Sequence, residues 1–370
     1  MKVLYVTTVS STMNFFVDHI RMLLEAGHSV DLACNWSRPA NPLFIEWGCQ
    51  FFDICLSRNP VSLSNTRAYV ELKNVIRNGG YDVVHTHTPI ASALVRIICR
   101  KLKHIKILYT AHGFHFYKGA PAKNWLLYFP LEWWLSRYTD ILITINSEDY
   151  DRAKRLLKAK QVRYIPGVGL DTRRFANVVV DRAKKRRELG VPSDAFVVLS
   201  VGELNTNKNH AVIIKALAKL KDPNIYYLIC GKGPLDDYLR RLAAELDVER
   251  QVKLLGFRKD IAEICKVADV FAFPSLREGL GLAALEAMAS GLPIITSNVH
   301  GIVDYSEDGR TGFSYTPTDV SGFAEGISRL KSCGEGLRSD IGAYNRQVAK
   351  KFDIAHVLEL MRELYEEILS

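Results

Sequence analysis

Seven cysteines, at positions 34, 49, 55, 99, 230, 265 and 333, form no Cys-x-x-Cys pair, and none has a histidine at zinc spacing. This excludes a disulfide framework and a structural zinc site and points to reduced thiols in a cytosolic protein. No apolar run is long enough to span a bilayer. The opening MKVLYVTTVS lacks the charged and apolar regions and the cleavage site of a signal peptide, and its β-branched alternation predicts a first strand. The turn after that strand contains no Gly-x-Gly-x-x-Gly, which removes the signature of a dinucleotide-dependent oxidoreductase. Low-complexity tracts and short-period repeats are absent, and acidic residues are missing from Val83 to Leu131.

What is present fits two domains, because 370 residues with 48% hydrophobic content exceed one ordinary core. The charge is uneven. Residues 1–175 carry 23 Lys and Arg against 13 Asp and Glu, and residues 176–370 carry 26 against 27, so the basic character belongs to the first half. The acid-free stretch holds Arg96, Arg100, Lys101, Lys103, Lys106, Lys118 and Lys123, with Phe114, Phe116, Tyr117, Trp125, Tyr128, Phe129, Trp133 and Trp134 in or beside it.

Strand and helix patterns alternate, which predicts parallel sheets covered on both faces. The first half offers strands at Lys2–Val9, Ser29–Cys34, Tyr81–His85, Ile105–Ala111 and Ile141–Ile145. The second offers Phe196–Val201, Ile225–Cys230, Val252–Leu255, Val270–Phe273 and Pro293–Thr296. The turn-rich RYIPGVGLDTRRF at 163–175 breaks the rhythm. A first lobe over 1–166, completed by a C-terminal helix in 355–370, and a second lobe over 167–354 are expected.

Ligands of open α/β sheets bind beyond the carboxyl ends of the strands. There the sequence places His85, Thr86, His87 and His112-Gly113 in the first half. In the second half it places GELNTNKN at 202–209, Gly231 to Pro234, Gly256 to Arg258, and Ser275 to Gly281. Gly279 and Gly281 allow close backbone approach, and a helix starting near Gly281 turns its free N–H groups and positive dipole end toward whatever lies there. A diphosphate suits that position, and Lys208 can add a full positive charge. Carboxylates beside a diphosphate are useful only to hydroxyls, which assigns Glu278 to a transferred sugar and Glu286 to a ribose diol. Glu286 is the lone charge between Gly279 and His300. A nucleotide sugar satisfies all these features.

The chain resembles the retaining glycosyltransferases of family four, whose two Rossmann-like doubly wound lobes face a central cleft in the GT-B fold. It is similar in style to bacterial capsule and exopolysaccharide enzymes. The resemblance rests on HTHTP at 85–89, TAHGFHFYKG at 110–119, TINSEDY at 144–150, IPGVGLDTRRF at 165–175, VGELNTNKNH at 201–210, GKGP at 231–234, LLGFRKDI at 254–261, and the two glutamates eight residues apart in FPSLREGLGLAALEAM. It implies catalytic roles for Lys208, Glu278 and His112, the last touching the transferred sugar. It implies donor binding by Gly202, Asn209, Gly231, Gly233, Arg258, Gly279, Leu280, Gly281, Leu282 and Glu286, and acceptor-side contacts from Ser10, Ser11, Thr12 and His87.

Two positions depart from the family pattern. Glu203 stands where relatives often carry arginine, and VSSTMN at 9–14 lacks their glycine pair.

The resemblance further implies a UDP-linked hexose or N-acetylhexosamine as donor, with no cofactor. It implies a polyprenyl-diphosphate-linked glycan as acceptor and a C-terminal helix crossing back to the first lobe. No Asp-x-Asp is placed at a strand end to bind a metal, so metal-independent transfer is expected. The basic aromatic segment 96–138 is expected to lie on an anionic membrane surface rather than on nucleic acid, giving a peripheral enzyme on the inner face of the plasma membrane. A nucleotide-sugar 2-epimerase of the same two-lobe fold is the alternative.

Overall fold

The computed structural model describes residues 1–369 and divides the chain into two compact units. One comprises Met1–Gly169 together with the C-terminal segment from Ile354; the other is Leu170–Asp353.

The first unit carries a parallel sheet of seven strands: β1 (Lys2–Val9), β2 (Ser29–Asn35), β3 (Phe51–Asp53), β4 (Val83–His87), β5 (Lys106–Ala111), β6 (Ile141–Thr144) and β7 (Gln161–Tyr164), in the order β3-β2-β1-β4-β5-β6-β7. The second unit carries six: β8 (Phe196–Val201), β9 (Ile225–Cys230), β10 (Val252–Gly256), β11 (Val270–Phe273), β12 (Ile294–Ser297) and β13 (Gly312–Tyr315), in the order β10-β9-β8-β11-β12-β13. In each the chain begins mid-sheet, winds to one edge, then crosses to the other side of its starting strand, the doubly wound arrangement. The reversal falls between β1 and β4 and again between β8 and β11, and the carboxyl ends of the strands there are the structural ligand positions.

Residue choice explains the strands. Val3 to Val6 of β1 and Val197 to Leu199 of β8 are fully buried, as parallel strands covered on both faces must be, so they read as unbroken apolar runs. The sheet-edge strands β3, β7 and β13 were not expected. Each has three or four residues, and β7, Gln-Val-Arg-Tyr, is half-exposed and carries no apolar signal. The last expected strand of the second unit shifts by one residue, because Pro293 has no N–H to offer the ladder and β12 begins at Ile294.

The C-terminal helix Ile354–Leu369 belongs to the first unit. Val357, Met361, Leu364 and Tyr365 share one buried face and join Val3, Tyr5, Ile20 and Leu23 in its core. The Tyr365 hydroxyl lies 2.6 Å from His85 Nδ1 and 3.2 Å from the Tyr5 hydroxyl, while His85 Nε2 meets Thr110 Oγ1 at 2.8 Å. Burial pushes the His85 imidazole well below its usual pKa.

Segment 96–138 is less of a surface than its sequence suggests. Arg96 is fully buried, stacks over the Tyr109 ring at 4.4 Å, and is clamped by both carboxylate oxygens of Glu132 at 2.5 and 3.0 Å. The pair ties helix Pro89–Cys99 to helix Ala122–Ser136. Phe114 and Phe116 are core residues, and Trp125, Tyr128, Phe129 and Trp133 pack against them. The outward face of helix Ala122–Ser136 carries leucines instead: Leu126, Leu127 and Leu131 are 76%, 68% and 48% exposed. No helix among the described residues is long and apolar enough to cross a membrane.

Candidate active site

In the second unit, β11 ends at Phe273, and the chain runs through Pro274–Leu280 to Gly281, where helix Leu282–Ser290 begins. Gly281 adopts φ +95°, a left-handed conformation that side-chain-bearing residues rarely take. A Cβ there would meet the Phe273 ring at 2.5 Å, so glycine is needed for both conformation and space. The tight turn leaves the first N–H groups of the helix unclaimed by any side-chain cap.

Lys208 arrives from the loop after β8. Its Nζ lies 2.6 Å from Glu278 Oε1 and 5.0 Å above the Phe273 ring, with both side chains mostly buried. The two loops are laced together by Asn207 Nδ2, which donates to the Arg277 carbonyl at 2.9 Å, and by the Leu276 N–H, which donates to the Asn207 carbonyl at 2.8 Å. Gly202 lies under the lysine stem; a Cβ would touch Cδ and Cε at 3.2 Å. Five residues further along the helix from Gly281, the mostly buried Glu286 has its carboxyl pushed up to about 7 by burial, with Arg174 pulling the other way. Leu280 is buried and Gly279 and Leu282 are half-buried.

A second support was not foreseen. In the 3-10 turn His300–Asp304 after β12, the Gly301 N–H donates to the Glu278 carbonyl at 3.2 Å, and His300 Nδ1 lies 2.5 Å from the same oxygen. His300 does this from φ +46°, and a Cβ on Gly301 would come within 1.9 Å of the Gly279 carbonyl. Nothing in the spacing of the sequence links this turn to Glu278; the contact arises from β12 lying beside β11.

Four residues expected to bind the donor also have work inside the unit. Asn209, at φ +54°, uses its side-chain amide to donate to the carbonyls of Pro274 and Pro317 at 3.1 and 2.8 Å. Arg258 is engaged by Asp260 at 2.6 Å and by Glu188 at 2.8 Å, and Asp260 is held well below the usual carboxylate range by that guanidinium. Gly231 and Gly233 are required by their own loops: a Cβ would lie 1.8 Å from the Gly202 carbonyl oxygen or 2.5 Å from that of Leu204.

In the first unit, His87 ends β4 and His112 follows β5, with His87 Nδ1 and His112 Nε2 at 3.3 Å. Burial lowers both imidazoles, His112 to about 4, so both are neutral at pH 7. Ser10 is buried and accepts the Arg38 N–H at 3.2 Å; Ser11 is exposed and Thr12 half-buried. An Asp-x-Asp does follow a strand, Asp149-Tyr150-Asp151 after β6. The Asp149 carboxylate, however, is buried and accepts from Phe114 N, Asn146 Nδ2 and Arg152 Nη1. Among the described residues no group of three or more His, Cys, Asp or Glu is arranged to hold a metal ion.

Comparison with known proteins matches residues 14–174 to the family described as Glycosyltransferase Family 4 and residues 181–348 to Glycosyl transferases group 1. EpsD of Bacillus subtilis (strain 168), assigned as a glycosyltransferase, is 37% identical over 100% of this chain and 97% of its own length. The chain is a family-four glycosyltransferase. An Escherichia coli relative, UDP-Gal:alpha-D-GlcNAc-diphosphoundecaprenol alpha-1,3-galactosyltransferase, shares 27% identity over 98% of this chain and 95% of its own. Among solved structures, Anabaena Alr3699/HepE in complex with UDP superposes with a TM-score of 0.81 at 20% identity, covering 99% of this chain and 100% of its own. That likeness makes the fold of the glycosyltransferase GT-B. These relatives are glycosyltransferases, and the epimerase reading draws no support from them.

Proposed function

We propose that this glycosyltransferase moves a hexose or N-acetylhexosamine, with retention, from a UDP-sugar to a lipid-linked saccharide in cell-surface polysaccharide synthesis. The observation that carries the reading is the Lys208–Glu278 pair at 2.6 Å, set at the uncapped start of helix Leu282–Ser290. The diphosphate lies against the helix N-terminus and Lys208, so the charge that grows on it as the anomeric C–O bond breaks meets preorganised donors. Displaced from the lysine by phosphate oxygens, Glu278 accepts from sugar hydroxyls, and Glu286 holds the ribose diol. Gly202, Gly231 and Gly233 keep the strand ends low enough for nucleotide to approach, and His112 donates to the transferred sugar. The acceptor hydroxyl attacks the anomeric carbon on the face the diphosphate leaves, and its proton passes to the departing phosphate oxygen. No side chain is assigned as a covalent nucleophile and no metal is assigned.

The named donor and acceptor of the Escherichia coli relative, and the UDP bound to HepE, support this substrate class. We place the enzyme on the cytoplasmic leaflet. The outward leucines of helix Ala122–Ser136, with Lys118 and Lys123 at its start, would rest on an anionic bilayer.

The test incubates the protein with a panel of UDP-sugars and a synthetic polyprenyl-diphosphate saccharide. An α-linked product from one UDP-sugar, formed equally in EDTA, is expected. Conversion of donor alone into an epimer, or inversion at the anomeric carbon, overturns the reading.

A further inference from the structure

The paired imidazoles of the first unit carry an inference that rests on the assignment of His112 as a substrate contact. His87 is enclosed: its ring stacks on Phe16 at 3.9 Å between centroids and lies 4.2 Å from His85 and 5.4 Å from Tyr5. Nδ1 faces His112 Nε2 at 3.3 Å. Nε2 is buried and has no hydrogen-bond partner.

Two neutral imidazoles at this distance share one proton between the facing nitrogens. If His112 supplied it from Nε2, His87 would have to carry its own proton on Nε2 and bury an N–H with nothing to receive it. Orphaned buried N–H groups are among the rarest features of folded proteins. If His87 supplies it from Nδ1, its buried Nε2 is only an unused lone pair, the milder fault. We infer that His87 donates from Nδ1 to His112 Nε2 and thereby fixes His112 as its Nδ1–H tautomer, turning a committed donor toward the substrate oxygen.

His112 is not fully buried, and its side-chain bond to His87 uses Nε2, so the Nδ1–H is available. His87 is thus a positioning residue, acting through the imidazole beside it, in the way that a partner on one ring nitrogen commonly sets the role of the other. The reading replaces the acceptor-side contact expected for His87, whose side chain is fully enclosed.

The test is long-range proton–nitrogen NMR of the full-length protein labelled with ¹⁵N-histidine. His112 is expected as the Nδ1–H form, against the preference of a free imidazole. His87→Phe keeps the stack and removes the donor; His112 should revert to Nε2–H and turnover fall about tenfold, the worth of one hydrogen bond. His87→Gln, whose amide can donate, should restore both. A wild-type His112 in the Nε2–H form overturns the inference without any variant. An Nδ1–H tautomer that persists in a folded His87→Phe protein overturns it as well. If His112→Ala leaves transfer unchanged, the substrate assignment fails instead, whatever the tautomer.

Discussion

Lys208 and Glu278, seventy residues apart in sequence, meet at 2.6 Å across the carboxyl ends of two strands in one sheet. Without nucleotide each neutralises the other. A pair this well buried holds both side chains in place at small net gain, and a diphosphate can take over the lysine at the moment the sugar takes over the carboxylate.

Lys208→Ala and Glu278→Ala should each lower kcat by about two to three powers of ten, the scale of losing one preorganised charge contact. The double variant should lose far less than the product of the two, because the residues act as a unit. Steady-state kinetics checks this, and independent, multiplying losses would count against a shared role.

Glu286 predicts a pH dependence of stability. Its folded pKa of about 7 lies above the ordinary glutamate value of 4.5. Between those values the unfolded chain has released the proton while the folded chain keeps it, so stability from this group is complete below about pH 4.5 and lost as pH rises through about 7. After discounting for partial solvent access, Glu286→Gln should stabilise the protein by about 1–2 kcal/mol at pH 8 and leave it unchanged at pH 4.5. Urea unfolding at both values measures it, and an equal effect at the two would refute the buried carboxyl.

At Gly281, alanine must hold φ +95° and clear the Phe273 ring. Gly281→Ala should destabilise by about 2–4 kcal/mol and weaken UDP binding, since the helix start shifts with it. Gly309→Ala has the same handedness of backbone, φ +77°, but open space, and serves as the control for the conformational part alone.

The Arg96–Glu132 pair makes a further prediction. Glu132→Leu leaves a buried guanidinium uncompensated and should cost about 3–5 kcal/mol, whereas Arg96→Met with Glu132→Leu should recover most of it. Thermal unfolding of the three proteins decides the matter.

Much of the fold was legible because its central strands are apolar on both faces: Phe-Val-Val-Leu-Ser-Val admits few other readings. Edge strands such as Gln161–Tyr164 were not, since their pairing is set by a neighbour and not by their own composition. The meeting of Lys208 and Glu278 beside the helix start at Gly281 could be expected because turn glycine, charge and helix start are local signals. The internal bonds of Asn209 and Arg258 could not be read for the converse reason: a polar side chain at a strand end looks the same in sequence whether or not a neighbouring carbonyl or carboxylate holds it. His300 and Glu132 were invisible, each defined only by what tertiary packing brings beside it.

The seat of Tyr365 against His85 has a consequence for biogenesis. As the ribosome delivers the chain, residues 1–169 emerge long before the helix that closes their hydrophobic face, and the whole second unit must be made in between. The early half therefore waits with an open apolar groove, and it can finish folding only once the segment from Ile354 has emerged. Nascent chains halted just short of Ile354 should be the ones that chaperones hold.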